Sequence, residues 1–229
     1  MMTVQPNEVH KLLSRYQLAD GYDMVVELDK SKGVWVHDSK LGEDYLDAFT
    51  CFGSWPLGYN NPEFMEEEFA EKILKVSRNK IANSDLYTTE LAEFVETFAT
   101  KVTPKGFSHH FWVSGGALAV ENALKTAFDW KARKLGRTNF LDDVNDLTVL
   151  HFEQAFHGRS GYTMSLTNTT PDKIGLFPKF NWPRVSTPYC EFDNEGNVSN
   201  DIESIEATTY DEIEHAFDEH SNKIAAIII

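Results

Sequence analysis

Apolar positions along the chain change their spacing in a way that separates strands from helices. Val120, Leu124, Ala127 and Phe128 recur at i, i+4, i+7 and i+8, the spacing of one helix face, and predict a helix running to about Leu135-Gly136. Just before it, Phe107 to Val113 is aromatic and β-branched and predicts a short buried strand. Ser114-Gly115-Gly116-Ala117 joins the two, so strand, small-residue turn and long helix form one unit. Glu121 and Lys125 lie one turn apart on another face and read as a helix-supporting pair.

The same reading organises the rest of the chain. Pro6 to Tyr16 predicts a short helix, with Pro6 acceptable in its first turn. Val25 to Leu28 reads as an edge strand. Residues 33–38 and 44–47 flank a Ser-Lys-Leu-Gly-Glu turn and predict a hairpin. Residues 49–58 are aromatic but broken by Gly and Pro, which predicts a locally packed loop. Helical spacing returns over Pro62 to Val76 and again over Leu91, Phe94, Val95 and Phe98, ending before Pro104. Residues 79–87 between them are polar and read as a loop.

Leu147 to Phe152 is a second apolar strand, leading into Ala155-Phe156-His157-Gly158-Arg159. Residues 177–185 form an irregular excursion, and acidic residues from Glu191 to Asp201 a surface linker. Ile202 to Phe217 predicts one or two helices, interrupted near Thr208-Thr209. A fully apolar strand, Lys223 to Ile229, closes the chain and gives it the look of a domain cut internally.

Strands alternating with helices of this length predict an α/β fold with a mostly parallel sheet. Ligands in such sheets bind beyond the carboxyl ends of strands. Both the Ser114-Gly115-Gly116 turn and the Phe156 loop fall there.

Bulk properties then narrow the function classes. The chain has 229 residues and a formal net charge of −15, which argues against a nucleic-acid surface built from clustered Lys and Arg. Two cysteines, Cys51 and Cys190, suggest neither a disulfide scaffold nor a thiolate metal site, and fit a reducing, cytoplasmic setting. No metal site, signal peptide or membrane span is expected.

Gly115 and Gly116 would let a ligand approach the free amides that open a helix, and these suit a phosphate. A tight turn that binds nothing has the same pattern. Phe156 offers a platform for a flat ring, and Arg159 a two-pronged clamp for a carboxylate. Together they describe a pyridoxal-phosphate enzyme that handles amino acids.

At these residues the chain resembles the class III aminotransferases of fold type I. Gly115-Gly116-Ala117-Leu118-Ala119-Val120-Glu121-Asn122 and Ala155-Phe156-His157-Gly158-Arg159-Ser160-Gly161-Tyr162 carry the resemblance. Asn83-Ser84-Asp85-Leu86-Tyr87 and Phe177-Pro178-Lys179-Phe180 support it. It runs from about His10 to Ile229 and points to the members that act on lysine. It implies that backbone at Gly116 and Ala117 holds the phosphate of pyridoxal 5'-phosphate and that Phe156 stacks on its ring. It implies further that Arg159 recognises a substrate carboxylate and that Phe52 lies near the substrate side chain.

The implied reaction moves the ε-amino group of L-lysine to 2-oxoglutarate, giving glutamate and 2-aminoadipate 6-semialdehyde. The implied division is 1–61 as a segment contributing to a small domain and 62–229 as the first part of the large cofactor-binding domain. The resemblance places the family's Schiff-base lysine beyond Ile229, so no catalytic residue is expected within the chain, and it implies a homodimer. Alternatives are an ω-aminotransferase of ornithine or 4-aminobutyrate type, or a non-catalytic fragment. A nucleotide-binding module is disfavoured because neither a G-x-G-x-x-G nor a G-x-x-x-x-G-K-[ST] pattern occurs.

Overall fold

Leu147 to Phe152 contains six successive residues with almost no solvent contact. Their side chains alternate between two cores. Leu150 and Phe152 pack with Val185, Ala216 and Ile224, while Val149 packs with Leu124 and Leu166 on the opposite face. A strand buried on both faces needs cover on both, and helices supply it.

The computed structural model describes residues 4–229 and divides into two compact units, Met1–Ser108 and His109–Ile229. The first opens with a 3₁₀ turn, Pro6–Glu8, that continues into α1 (Val9–Leu13). The expected hairpin forms from β1 (Trp35–Asp38) and β2 (Glu43–Leu46), antiparallel with Trp35 opposite Leu46. Val25 to Leu28 makes only an isolated bridge, Val26 to Asp38, in place of the expected edge strand. The buried Asp38 carboxylate explains this, because it accepts from the amides of Val25 and Lys40 and so uses donors a longer ladder would need.

Residues 49–58 are a loop, as expected. Thr50, Cys51 and Phe52 all have positive φ (48°, 49° and 58°), a left-handed run that non-glycine residues enter at a cost of about 1–2 kcal/mol each. Asp47 offsets part of this by accepting from the amides of Phe49 and Thr50. Gly58 is obligatory, since a Cβ there would lie 2.3 Å from the Gly33 carbonyl oxygen.

The two predicted helices that follow are α2 (Glu67–Ser77), after a 3₁₀ turn at Pro62–Met65, and α3 (Thr89–Thr97). Thr88 caps α3 by accepting from the Leu91 amide. Lys72 to Glu93, at 2.6 Å, and Lys75 to Glu90 tie the two helices together across their exposed faces.

Residues 107–113 carry no assigned strand, contrary to expectation. The aromatic pattern suits a strand, but no ladder is assigned to this segment among the described residues. α4 (Gly116–Lys134) follows. Then come β3 (Thr148–Phe152), α5 (Gly161–Leu166), α6 (Pro171–Ile174), β4 (Arg184–Val185), α7 (Ile202–His220) and β5 (Ile224–Ile228). The sheet order is β4-β3-β5, all parallel. The excursion at 177–185 therefore ends in a short strand that its prolines and aromatics concealed.

Of the one or two helices expected, a single unbroken one forms, α7. Thr208 and Thr209 return their hydroxyls to the carbonyls of Ser204 and Ile205, at 3.0 and 3.1 Å, so the β-branched pair is absorbed without a break. Among the described residues no helix is long and apolar enough to cross a membrane.

Within β3, His151 is almost fully buried and lies opposite Arg184 in the β3–β4 register. Arg184 donates from Nε to His151 Nε2 at 2.9 Å and from Nη2 to the Ser165 carbonyl at 3.1 Å. Burial, helped by the adjacent guanidinium, pushes the imidazole down to a pKa of about 4. The ring is thus neutral at pH 7 and serves as a hydrogen-bond acceptor.

Candidate functional site

The start of α4 is open. Gly115 is its N-cap, with φ 95°, and contributes no side chain to close the first turn. A Cβ built on Gly115 or Gly116 meets nothing within 4 Å. The first turn holds no acidic residue. Amides without helical acceptors, the positive end of a 19-residue helix and vacant space above the glycines make a cradle for an anion.

The second loop leaves the carboxyl end of β3 and is pinned from within. Asn168 N donates to the Ala155 carbonyl at 2.8 Å. The His157 amide donates to Thr167 Oγ1 at 2.9 Å, and that hydroxyl in turn donates to the Gly158 carbonyl at 2.6 Å. Ser160 N donates to Thr163 Oγ1 at 2.9 Å, completing a capping box on α5. Thr163 and Thr167 are fully buried, so the loop is held from beneath rather than by its own exposed residues.

Gly158 joins the two parts. Its φ is 112°, and a Cβ added there would lie 2.5 Å from Ala117 Cβ and 2.9 Å from Ala117 Cα. The Phe156-His157-Gly158-Arg159 segment therefore lies directly against the first turn of α4. Gly116, Ala117, Phe156 and Arg159, four of the five residues singled out from the sequence, belong to one neighbourhood. Phe52, the fifth, is on the left-handed loop of the first unit and is 92% exposed.

Phe156 is 63% exposed, leaving its ring free to stack on something. Arg159 is also exposed, and no carboxylate among the described residues pairs with it. His157 Nε2 is buried without a hydrogen-bond partner, and burial lowers the pKa of this ring. A buried nitrogen without a partner, a glycine turn open at its backbone and an exposed guanidinium in the same loop as an exposed ring fit a phosphorylated aromatic cofactor and a carboxylate substrate.

Three residues of this site escaped the sequence reading: Glu121, Thr163 and Thr167. Glu121 does not serve the expected pair with Lys125. Its carboxylate turns to the Phe156 loop instead and accepts from Ser160 Oγ at 2.9 Å and from the Tyr162 amide at 3.1 Å. The available signal was the helix period, because Ala117, Glu121, Leu124 and Phe128 share one face of α4. A separate cleft of about 470 Å³, lined by Phe128, Arg137, Phe140, Tyr162 and Trp182 among others, lies more than three turns from Gly116. Its Arg137 is already held by Asp146, which leaves little to bind an anionic ligand there.

The model of the class-III aminotransferase family matches residues 17–229. The chain is 51% identical over 182 residues to an L-lysine-epsilon aminotransferase of Streptomyces clavuligerus, covering 79% of this chain and 39% of that one. It is 42% identical over 224 residues to the L-lysine-epsilon aminotransferase of Mycobacterium tuberculosis (strain ATCC 25618 / H37Rv), covering 97% and 49%. A solved structure of the lysine aminotransferase from M. tuberculosis superposes with a TM-score of 0.81 at 41% identity, covering 98% of this chain and 51% of that one. The chain thus spans about half the length, or less, of the relatives it matches. Its fold is that of the fold type I enzymes, α/β with a parallel sheet, and the chain belongs to the class-III aminotransferases.

Proposed function

We propose that this chain carries the phosphate cradle, ring platform and carboxylate clamp of an enzyme that transfers the ε-amino group of L-lysine to 2-oxoglutarate with pyridoxal 5'-phosphate. The observation that carries this reading is the seating of Gly158 on Ala117, because it puts the ring and carboxylate residues beside the anion cradle. The names of the relatives at 42–51% identity supply the choice of lysine as donor.

Within this reading the backbone amides of Gly116 and Ala117 hold the cofactor phosphate, and Phe156 covers the ring. Arg159 aligns a carboxylate of lysine or of 2-oxoglutarate, and Phe52 borders the substrate side chain. Pyridoxal phosphate, when bound, supplies the electron sink for removing a proton from the carbon that bears the amine. The protein residues fix the substrate so that this carbon meets the cofactor, a matter of positioning. No lysine of this chain is assigned the covalent role. Residues 1–61 are assigned to a small domain and 62–229 to the first part of the large one. A homodimer in a reducing, cytoplasmic setting is part of the same proposal, consistent with Cys51 and Cys190 being free and exposed.

Arg159→Ala, made in the polypeptide as its gene encodes it, tests the reading. A guanidinium meets a carboxylate through two charge-assisted bonds, each contributing roughly 1.5–3 kcal/mol. The Michaelis constant for lysine or 2-oxoglutarate should therefore rise about tenfold or more, with cofactor absorbance unchanged. Loss of cofactor with unchanged Michaelis constants would reject the role. Faster turnover of ornithine or 4-aminobutyrate than of lysine would replace the proposed donor.

A further inference from the structure

We propose that Glu121 is a positioning residue: its carboxylate clamps the Phe156–Arg159 loop to α4 and so sets the height of the ring platform above the phosphate cradle. The inference rests on the cofactor reading given above.

Glu121 accepts four hydrogen bonds from a single short segment. Ser160 Oγ donates at 2.9 Å, the Tyr162 amide reaches both carboxylate oxygens at 3.1 Å, and the Thr163 amide donates at 3.3 Å. These amides open α5 and have no helical acceptor of their own; the Thr163 amide also meets its cap, Ser160, and the Glu121 carboxylate is the acceptor for the Tyr162 amide. Gly161 makes room for the approach, since a Cβ there would lie 3.1 Å from Glu121 Oε1.

Ala117 and Glu121 are four residues apart and therefore share one face of α4. The loop is consequently attached to that face at two heights, by the Gly158–Ala117 contact and by the carboxylate clamp one turn further on. Phe128, two turns beyond Glu121, extends the same seam by meeting the Tyr162 ring at 5.5 Å. Thr163 and Thr167 hold the loop from beneath, and the two contacts a turn apart set its angle against α4. Glu121 itself reaches neither Gly116 nor the loop tip, and acts only through what it holds.

The test uses the polypeptide as its gene encodes it, with Glu121→Ala and Glu121→Gln. Two properties are measured: amide hydrogen exchange, and the dissociation constants of pyridoxal 5'-phosphate and of inorganic phosphate. In Glu121→Ala the amide of Tyr162 should exchange at least tenfold faster, while those of β3 stay protected. Affinity for pyridoxal 5'-phosphate should fall about tenfold or more, and affinity for inorganic phosphate should change less than twofold. Glu121→Gln keeps one acceptor oxygen and should lie between, and it decides the matter if the alanine variant loses β3 protection.

Equal loss of both ligands, or unchanged exchange at Tyr162, overturns the proposal. A wild-type chain with protected amides that binds phosphate but not pyridoxal 5'-phosphate overturns the cofactor reading and the positioning role with it. That result would still leave the clamp itself established.

Discussion

Gly158→Ala is expected to lift the Phe156–Arg159 loop off α4, with a loss of about 2–6 kcal/mol shared between folding stability and cofactor affinity. Two costs combine. A side chain at φ 112° occupies a region that only glycine visits freely, at about 1–3 kcal/mol. The new methyl also overlaps Ala117 Cβ at 2.5 Å and Cα at 2.9 Å, and overpacking against a helix backbone costs about another 1–3 kcal/mol.

Gly106→Ala separates the two terms. Gly106 has φ 105° but nothing within 4 Å of its would-be Cβ, so that substitution carries the dihedral cost alone. Urea unfolding of both variants, with cofactor titration of each, gives the difference. Adding Ala117→Gly to Gly158→Ala should restore part of the loss by removing the methyl-to-methyl overlap. Equal effects from Gly106→Ala and Gly158→Ala would mean that the loop does not press on α4.

The second expected result is a loss of stability in weak acid that passes through His151. Its native imidazole titrates near 4, while in the unfolded chain a histidine titrates near 6.5. Above pH 6.5 both states are neutral and the full stability is present. As pH falls from 6.5 toward 4 the unfolded chain takes up a proton that the native chain refuses. Stability then drops by about 1.4 kcal/mol per pH unit, roughly 3 kcal/mol over the window.

Carboxylates held below their usual range, such as Asp146 beside Arg137, contribute their own acid lability, so the comparison must be with a variant. His151→Gln places an amide oxygen where Nε2 accepts from Arg184 and does not titrate. The variant's unfolding free energy should therefore decline less steeply between pH 6.5 and 4.5, by about 2 kcal/mol over that interval. Parallel curves for the two proteins would show that His151 is not the group responsible.

Local pattern made some of this legible in the sequence. The helix after the glycine turn, the hairpin at 33–47 and the buried strand before Phe156 follow from periods of 3.6 and 2 and from turn residues, all local properties. Features set by distant partners were not legible. Residues 107–113 have the side chains of a strand, yet no ladder is assigned to them among the described residues. Arg184 and Val185 pair with β3 despite the prolines around them, because β3 offers an unmet edge. Glu121 has a plausible partner four residues along its own helix, yet it accepts from a hydroxyl 39 residues away and from amides 41 and 42 residues away. The glycine cradle could be read as an anion site from composition, but only the Gly158–Ala117 approach joins it to the aromatic loop.

The parallel arrangement of β3 also bears on the order in which the chain assembles. Its two ladders differ in reach: β4 pairs across 33 residues, and β5 across more than twice that separation. Closing the longer loop costs only about 0.7 kcal/mol more, since the penalty grows with the logarithm of length. The longer-range ladder runs over four positions rather than two, and burial of Ile224 against Leu150 and Phe152 accompanies it. Nucleation is therefore expected to favour the distant partner over the near one. Folding of this unit then waits on α7 and β5, and the apolar Ile224–Ile228 segment stays unpaired while it waits. A slow, concentration-sensitive refolding phase, suppressed by dilution, is the kinetic mark of such a nucleus.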